Sequence, residues 1–261
     1  MTPEIHWVVR LMTIGALAVN TACRGPTQST GAGGPPTQAA VGTAAAVSPI
    51  AASATTAGSA PIANASLSAS AKPVAAPAPS STRWTFDGDQ VGVLPSGAQA
   101  FSGQWAVRAE SDAPSPPNAL CQTGNADFPA ISLDTKAYTD LTLVTRFKPI
   151  SGRQDQAGGL IFRVQDKDNY YILRANALEN NVIFFIYARG SRSQLKAGDA
   201  KVGSGTWHEL RVDVRGNAFR GFLDGTSVVD TTDDRYKNGG IGLWTKSDSV
   251  TCFDDVEVSL L

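Results

Sequence analysis

The amino-acid sequence predicts an all-β protein whose folded part is an antiparallel β-sandwich of the jelly-roll type. Three observations lead to this prediction. Short segments rich in β-branched and aromatic residues recur from Arg83 onward, and several alternate apolar with polar side chains. Clusters of Gly, Asn, Asp and Pro separate these segments. No amphipathic helix of useful length interrupts them.

The first 22 residues have the pattern of a signal peptide of the lipoprotein type. Arg10 precedes an apolar run at 11–19, which is too short to span a bilayer as a stable helix. The small residue Ala22 then precedes Cys23, and this order resembles the lipobox of bacterial lipoproteins, in which the cysteine receives the lipid. We therefore expect an extracytoplasmic protein of the cell envelope, anchored to the membrane through Cys23. Secretion without a lipid is the alternative.

The segment 23–82 predicts a disordered linker. It consists almost entirely of Ala, Ser, Thr, Pro and Gly, and Arg24 and Lys72 are its only charged residues. Such a segment buries too little apolar surface to offset the entropy of ordering the backbone. Trp7 is the only Trp, Tyr or Phe before position 83, so the hydrophobic core is expected within a single domain at 83–261.

Within that domain the strands follow one another at short intervals. In 207–214, for example, Leu210, Val212 and Val214 alternate with polar residues, which is typical of a strand with one buried face. Turn chemistry is expected at 216–217, 224–225 and 239–240, where Gly is next to Asn, Asp or a second Gly. The predicted strands are 104–109, 120–123, 140–147, 159–164, 170–175, 182–189, 207–214, 218–223, 241–245 and 250–258.

Composition excludes several classes of function. The formal net charge is -1 and no basic cluster is present, which argues against a nucleic-acid partner. Two His and three Cys are too few for a Cys-rich zinc array. Neither a Gly-x-Ser-x-Gly motif nor a phosphate-binding P-loop occurs.

Several segments carry a family resemblance. The runs at 207–212 (WHELRV), 219–225 (FRGFLDG), 240–244 (GIGLW) and 253–258 (FDDVEV) resemble the last strands of a concanavalin A-like lectin/glucanase domain of the laminin-G sort. The segments 158–163 (GGLIFR) and 168–171 (DNYY) resemble the bacterial DUF1080 family, which is tied to 3-keto-disaccharide hydrolases. The resemblance covers 84–261 and implies a jelly-roll fold and a carbohydrate ligand.

Strand parity places a set of polar and aromatic residues on one face of adjacent strands. Aromatic rings stack on sugars, while Arg and Asn donate hydrogen bonds to hydroxyls and carboxylates. The face is therefore a candidate glycan-binding surface, and the alternative is a solvated sheet face with structural Tyr and Arg. The candidate ligand-binding residues are Arg163, Tyr170, Arg174, Asn176, Tyr187 and Arg189.

We expect glycan recognition as the function. An enzyme that hydrolyses or cleaves 3-keto-disaccharides is the alternative, with an Asp or His208 and a metal in the chemistry. His208 is a weak candidate, because its parity with Leu210 and Val212 points it into the core. A protein-adhesion module is the third possibility, since laminin-G-like sandwiches also bind proteins.

Two further pairs of residues have open interpretations. In laminin-G-like and glucanase relatives a calcium ion often ties the first strand to the last, which here implies Asp87 and Asp255; surface charge is the alternative. Cys121 and Cys252 lie on predicted strands of an exported protein and are candidates for a disulfide, and two separate buried thiols are the alternative.

Overall fold

The computed structural model describes residues 80–261 of the chain. The predicted signal peptide, Cys23 and nearly all of the predicted linker lie outside the described residues. The first strand begins at Ser81 and pairs with the last strand of the fold, so the folded part starts slightly before the expected boundary at Arg83.

The described residues form strands and no helix. Accordingly, residues 80–261 contain no helix that is long and apolar enough to cross a membrane. The strands are β1 (Ser81–Trp84), β2 (Gln99–Ser102), β3 (Trp105–Ala109), β4 (Asn118–Gln122), β5 (Ala130–Tyr138), β6 (Leu141–Ser151), β7 (Ala157–Asp166), β8 (Asn169–Asn176), β9 (Asn181–Ala188), β10 (Ser191–Asp199), β11 (His208–Arg215), β12 (Ala218–Leu223), β13 (Thr226–Thr232), β14 (Gly239–Trp244) and β15 (Val250–Leu260).

These strands build two antiparallel sheets, which confirms the predicted β-sandwich. The eight-stranded sheet has the order β13-β12-β11-β6-β15-β4-β3, with β1 also paired to β15. The seven-stranded sheet has the order β10-β9-β8-β7-β14-β5-β2. Strands distant in sequence therefore lie side by side, as in β7 and β14.

The main core lies between the two sheets and follows the alternation of the strands. On β11, Leu210, Val212 and Val214 are fully buried, as their parity predicts. From the other sheet, the Phe162 ring packs edge-on against Phe219 with 5.1 Å between ring centres. Apolar side chains of both inner faces thus close the sandwich.

Five strands were not predicted from the sequence patterns, namely β1, β2, β5, β10 and β13. β10 is the clearest case, because it is a mostly exposed edge strand with few apolar residues. The pair Gly239 and Gly240 also differs from its predicted turn, since both residues lie in β14. A Cβ at Gly240 would lie 2.5 Å from the Asp134 carbonyl oxygen. Glycine at this position therefore allows β14 to pack closely against β5.

Cys121 and Cys252 face each other across β4 and β15 and form a disulfide. Both cysteines are buried and pack with Ala113 and Ala119 in a small apolar cluster, against which the half-buried Trp207 rests. This bond joins segments 131 positions apart in the sequence.

Candidate functional site

The outer face of the seven-stranded sheet carries an apolar cluster of its own, although no second sheet covers it. Strand residues on this face alternate with those of the main core, so β8 contributes Tyr170 and Ile172 to it. Partly buried rings pack against the cluster from the strands and from the loop before β5. We call it the outer cluster: Ala130, Ile161, Tyr170, Ile172, Ile183, Phe185 and Trp244, with Phe101, Phe128, Val164 and Tyr187 packed against it.

Aromatic rings at one end of the outer cluster form a stacked series. Tyr170 and Tyr187 are opposite each other on β8 and β9, and their rings stack with 4.9 Å between centres. Phe128 meets Tyr187 edge-on at 5.6 Å and stacks on Trp244 at 5.9 Å. Tyr187 and Phe128 are only partly buried, so this series presents ring surface to solvent.

A cleft of about 360 Å³ opens beside these rings. Burial raises the pKa of the Tyr187 hydroxyl, and the carboxylates of Asp168 and Asp127 raise it further. The hydroxyl is therefore a hydrogen-bond donor at neutral pH, while the carboxylates are acceptors. The cleft is lined by Phe101, Ser102, Asp127, Phe128, Ala130, Lys167, Asp168, Tyr170, Tyr187 and Gly190.

Arg192 on β10 lies opposite Tyr187 and is surrounded by rings of the outer cluster. Its guanidinium carbon is 4.4 Å from the centre of the Phe185 ring, 4.8 Å from Phe128 and 5.6 Å from Trp244. Within residues 80–261 no carboxylate forms an ion pair with it, and its Nη1 is buried without a hydrogen-bond partner. Cation–π attraction holds this charge in place, but the charge has no counterion.

Arg174 on β8 is the neighbouring cation. Its Nη2 is hydrogen-bonded, whereas its Nε is not. Its Nη2 donates to Glu179 Oε2 at 2.8 Å and to Asn181 Oδ1 at 2.6 Å, while its Nε is buried without a partner. Nearby, the buried Asp155 pairs with Lys246 at 2.7 Å. Arg174 and Lys246 therefore each have a carboxylate partner, in contrast to Arg192.

The structure brings four of the six predicted ligand-binding residues to this face. Tyr170, Arg174 and Asn176 share the outer side of β8, and Tyr187 faces Tyr170 from β9. Asn176 does not present its amide to a ligand, because it is fully buried and its Nδ2 donates to Asp155 Oδ1 at 2.7 Å. Asn176 positions Asp155 and is not a ligand contact.

The prediction that Arg163 lies on this face is wrong. Arg163 adopts a left-handed φ of 50°, and the pairing of β7 with β8 shifts register beyond Phe162. This bulge turns the side chain away from its parity position, and it is only 1% exposed. Its guanidinium packs over Phe219 of the main core and donates to the carbonyl oxygens of Thr139, Gly216 and Tyr236.

Arg189 also lies apart from the strand in which it was predicted. β9 ends at Ala188, and Arg189 and Gly190 have φ values of 52° and 72° in the hairpin that leads to β10. Two consecutive residues with positive φ form a tight hairpin turn. Arg189 is exposed in that turn and does not join the outer cluster.

The residues do not fit the calcium site implied for Asp87 and Asp255. Asp255 forms an ion pair with Arg83, and Asp87 accepts a hydrogen bond from the Asn118 backbone N–H at 3.3 Å. The Arg83 guanidinium is therefore already bonded to the Asp255 carboxylate that a calcium ion would need. Within residues 80–261 the only group of three close His, Cys, Asp or Glu side chains is Glu110 with Cys121 and Cys252, and the cysteines are joined as a disulfide.

His208 lies on β11 of the other sheet, away from the cleft. Its Nδ1 lies 2.7 Å from Asp224 Oδ2, and its Nε2 accepts from the Gly203 backbone N–H at 2.9 Å. The ring packs against the core residue Phe147. Both nitrogens are thus used in holding two loops together, which is a structural role.

Sequence reasoning missed Arg192, Phe128 and Asp127. Gly190 is a weak turn signal after the predicted strand 182–189, but Arg-Gly is not a typical two-residue hairpin pair, so the sequence alone does not place Arg192 opposite Tyr187. No comparable signal marks Phe128 and Asp127, because the fold of a loop brings them over the sheet.

Comparison with known proteins identifies the family. Residues 100–259 match the family described as the 3-keto-alpha-glucoside-1,2-lyase-like domain, which covers well over half of the chain. The resemblance to 3-keto-disaccharide hydrolases noted from the sequence is confirmed by this match.

Individual relatives are distant and come from carbohydrate-related proteins. A levanase of Bacillus subtilis (strain 168) is 25% identical over 164 residues, which are 61% of this chain and only 22% of the levanase. The solved carbohydrate binding module CBM66 of Bacillus subtilis is 23% identical with a TM-score of 0.52, over 62% of this chain and 94% of the module. A Bacillus licheniformis beta-glucanase is 13% identical with a TM-score of 0.49, over 69% of this chain and 98% of the enzyme. The likeness to the binding module supports the jelly-roll fold.

Proposed function

Because the chain belongs to the family of 3-keto-alpha-glucoside-1,2-lyase-like domains, we propose that it recognises carbohydrate in the cleft of the seven-stranded sheet. The observation that carries this proposal is the stacked Tyr170–Tyr187 pair, which lines the cleft together with Phe128. Sugar rings stack on such aromatic surfaces. Asp127 and Asp168 supply acceptors for sugar hydroxyls beside the rings.

Two distant relatives support the same proposal. The levanase and the carbohydrate binding module are named for carbohydrate, and they match 61% and 62% of this chain. This chain spans less than a quarter of the levanase, so the activity of the whole levanase is not transferred to it.

A glycan array probed with the full chain, followed by calorimetric titration of the best-bound glycan, tests carbohydrate recognition. We expect Tyr187→Ala to weaken binding by about tenfold or more, because an aromatic contact surface is lost. Tyr187→Phe retains the ring and serves as the matched control, with binding weakened less than in Tyr187→Ala. Absence of binding to every glycan, or unchanged binding by Tyr187→Ala, would contradict the proposal and favour a protein partner.

Cleavage of 3-keto-disaccharides is the second candidate function. Asp127 and Asp168 both line the cleft beside Tyr187, so the cleft holds two carboxylates. In an elimination, one carboxylate would remove the proton next to the keto group as the glycosidic C–O bond breaks, and the leaving oxygen would take up a proton. The structural role of His208 removes it from this candidate chemistry.

Turnover of 3-keto-disaccharides by the full chain, followed by chromatography, tests the second candidate. Loss of turnover in Asp127→Asn or Asp168→Asn, with retention in Asp234→Asn outside the cleft, would support it. Binding without any turnover would leave recognition as the function.

We propose in addition that the protein is exported and anchored at the cell envelope by a lipid on Cys23. The apolar run at 11–19 and the Ala22-Cys23 junction support this proposal, and 23–82 would then be a linker between membrane and domain. Cys23→Ser is expected to move the protein from the detergent phase to the aqueous phase in a partitioning experiment. Unchanged partitioning would contradict the anchor.

A further inference from the structure

Arg192 is the one cation of the outer face without an anionic partner in the described part of the chain. Arg174 is paired with Glu179 at 2.8 Å, and Lys246 is paired with Asp155 at 2.7 Å. Arg192 has only rings around it, and its Nη1 is buried and unbonded. A partly desolvated guanidinium without a counterion is costly, and an anion placed beside it would recover that cost.

The surroundings of Arg192 also disfavour its positive charge. Burial lowers its pKa, and Arg174 lowers it further by like-charge repulsion. Asp155 and Glu179 raise the pKa of Arg192, each by less than Arg174 lowers it. Glu179 is ion-paired with Arg174 and Asp155 with Lys246, so neither carboxylate is bonded to Arg192.

Arg192 lies next to the proposed sugar site. Arg192 is directly opposite Tyr187 in the β9–β10 pair, and Tyr187 lines the cleft. Directly opposed side chains have Cβ atoms about 5 Å apart, which is the width of one sugar ring or less. Phe128 contacts both residues, because its ring meets Tyr187 edge-on and the Arg192 guanidinium lies over it. A sugar stacked on Tyr187 would therefore bring its substituents within reach of the guanidinium.

We infer that this face selects an acidic glycan, with one sugar in the cleft and the carboxylate of a uronic acid bound to Arg192, which lies beside the cleft opposite Tyr187. This inference rests on the proposed carbohydrate recognition and adds the class of ligand to it. The guanidinium carries five N–H donors in a planar fork that matches the two oxygens of a carboxylate. Neutral sugars offer only hydroxyls, which leave the charge of Arg192 uncompensated.

The experiment compares acidic oligosaccharides with carboxyl-reduced counterparts of the same linkage. Oligomers of galacturonic, glucuronic and mannuronic acid are titrated into the full chain, each beside its reduced form. At least one acid is expected to bind about tenfold or more tightly than its reduced form, and the difference should shrink as salt is raised. Arg192→Ala is expected to abolish the preference.

Arg189→Ala is the matched control, because it removes the same charge from an exposed turn three positions earlier in the same hairpin. It should keep the preference for the acid. If Arg192→Ala fails to fold, Arg192→Lys replaces it, and loss of the fork should still reduce the preference. Equal binding of acidic and reduced forms, or equal loss with both arginine variants, would overturn the inference while leaving carbohydrate recognition intact. Failure of every glycan to bind would instead overturn carbohydrate recognition itself.

Discussion

At the residue scale, hydrogen bonds to Asp233 keep its carboxyl group ionised. Burial raises its pKa, but hydrogen bonds from Arg235 and from the Tyr171 hydroxyl outweigh that effect and hold the pKa at about 2. The Tyr171 ring lies in the main core, where its hydroxyl donates to Asp233 at 2.5 Å and accepts from the Tyr236 backbone N–H. The carboxylate therefore satisfies a polar group that the core buries.

Asp233→Asn is expected to destabilise the protein by about 1–3 kcal/mol at pH 7, because the charged acceptor of Tyr171 and Arg235 is lost. The ordinary pKa of the group is 3.8, above the folded value of about 2. Its contribution is therefore complete above about pH 4 and is lost as the pH falls toward 2. Thermal unfolding followed by circular dichroism between pH 2 and 7 measures both effects.

Asp234→Asn is the matched control, since the Asp234 side chain is 73% exposed. It should leave the melting temperature and its pH dependence nearly unchanged. Equal melting curves for Asp233→Asn and the wild type at pH 7 would contradict the role assigned to the network.

Single residues also show where sequence patterns succeed and where they fail. Parity placed Tyr170 and Tyr187 on one face, because both lie in regular stretches of β8 and β9. Parity failed for Arg163 and Arg189, because each has a left-handed backbone conformation that ends the regular alternation. A bulge and a tight turn at non-glycine residues leave little trace in a single sequence.

At the scale of elements, β14 depends on glycine for its place between β5 and β7. A Cβ at Gly242 would lie 2.0 Å from the Ile131 carbonyl oxygen, far inside van der Waals contact. Both flanking strands are hydrogen-bonded to β14, so neither can move away without loss of pairing.

Gly242→Ala is therefore expected to cost about 3 kcal/mol or more, through displacement of β14 or β5. Urea unfolding followed by tryptophan fluorescence measures the loss. Gly88→Ala is the control, because no atom lies within 4 Å of a Cβ there, and its stability should change little. Equal stability of the two variants would show that β14 tolerates a side chain at this position.

The disulfide between β4 and β15 is the other element-scale constraint. Replacing both Cys121 and Cys252 with Ala is expected to lower stability by about 2–5 kcal/mol, mainly because the unfolded chain is no longer cross-linked. The melting temperature of the double variant should resemble that of the reduced wild type. No difference between the double variant and the oxidised wild type would contradict a stabilising bond.

Sequence patterns predicted most strands that bury one face and missed the edge strands β2, β10 and β13, together with the interior strand β5. β11 has strictly alternating burial, and its segment was recognised as a strand. β10 and β13 lie at edges and have few apolar residues, so periodicity gave no signal for them. Because β10 carries Arg192, the most informative charge of the site was missed together with the strand.

At the scale of the whole molecule, the two outer faces of the sandwich differ in character. The outer side of the eight-stranded sheet holds the disulfide, with Lys148 placed over Trp207 and paired to Glu110 and Asp112. Lys148 therefore has two carboxylate partners, unlike Arg192. The outer side of the seven-stranded sheet holds the aromatic cleft and the unpaired Arg192. This asymmetry is the reason for placing ligand recognition on the seven-stranded sheet.

An NMR titration of the isotope-labelled full chain with its best-bound glycan tests that placement most directly. We expect amide shifts clustered around Phe128, Tyr170, Tyr187 and Arg192, with the amides around Trp207 unaffected. Shifts centred on the eight-stranded sheet around Trp207, with none around Tyr187, would contradict it.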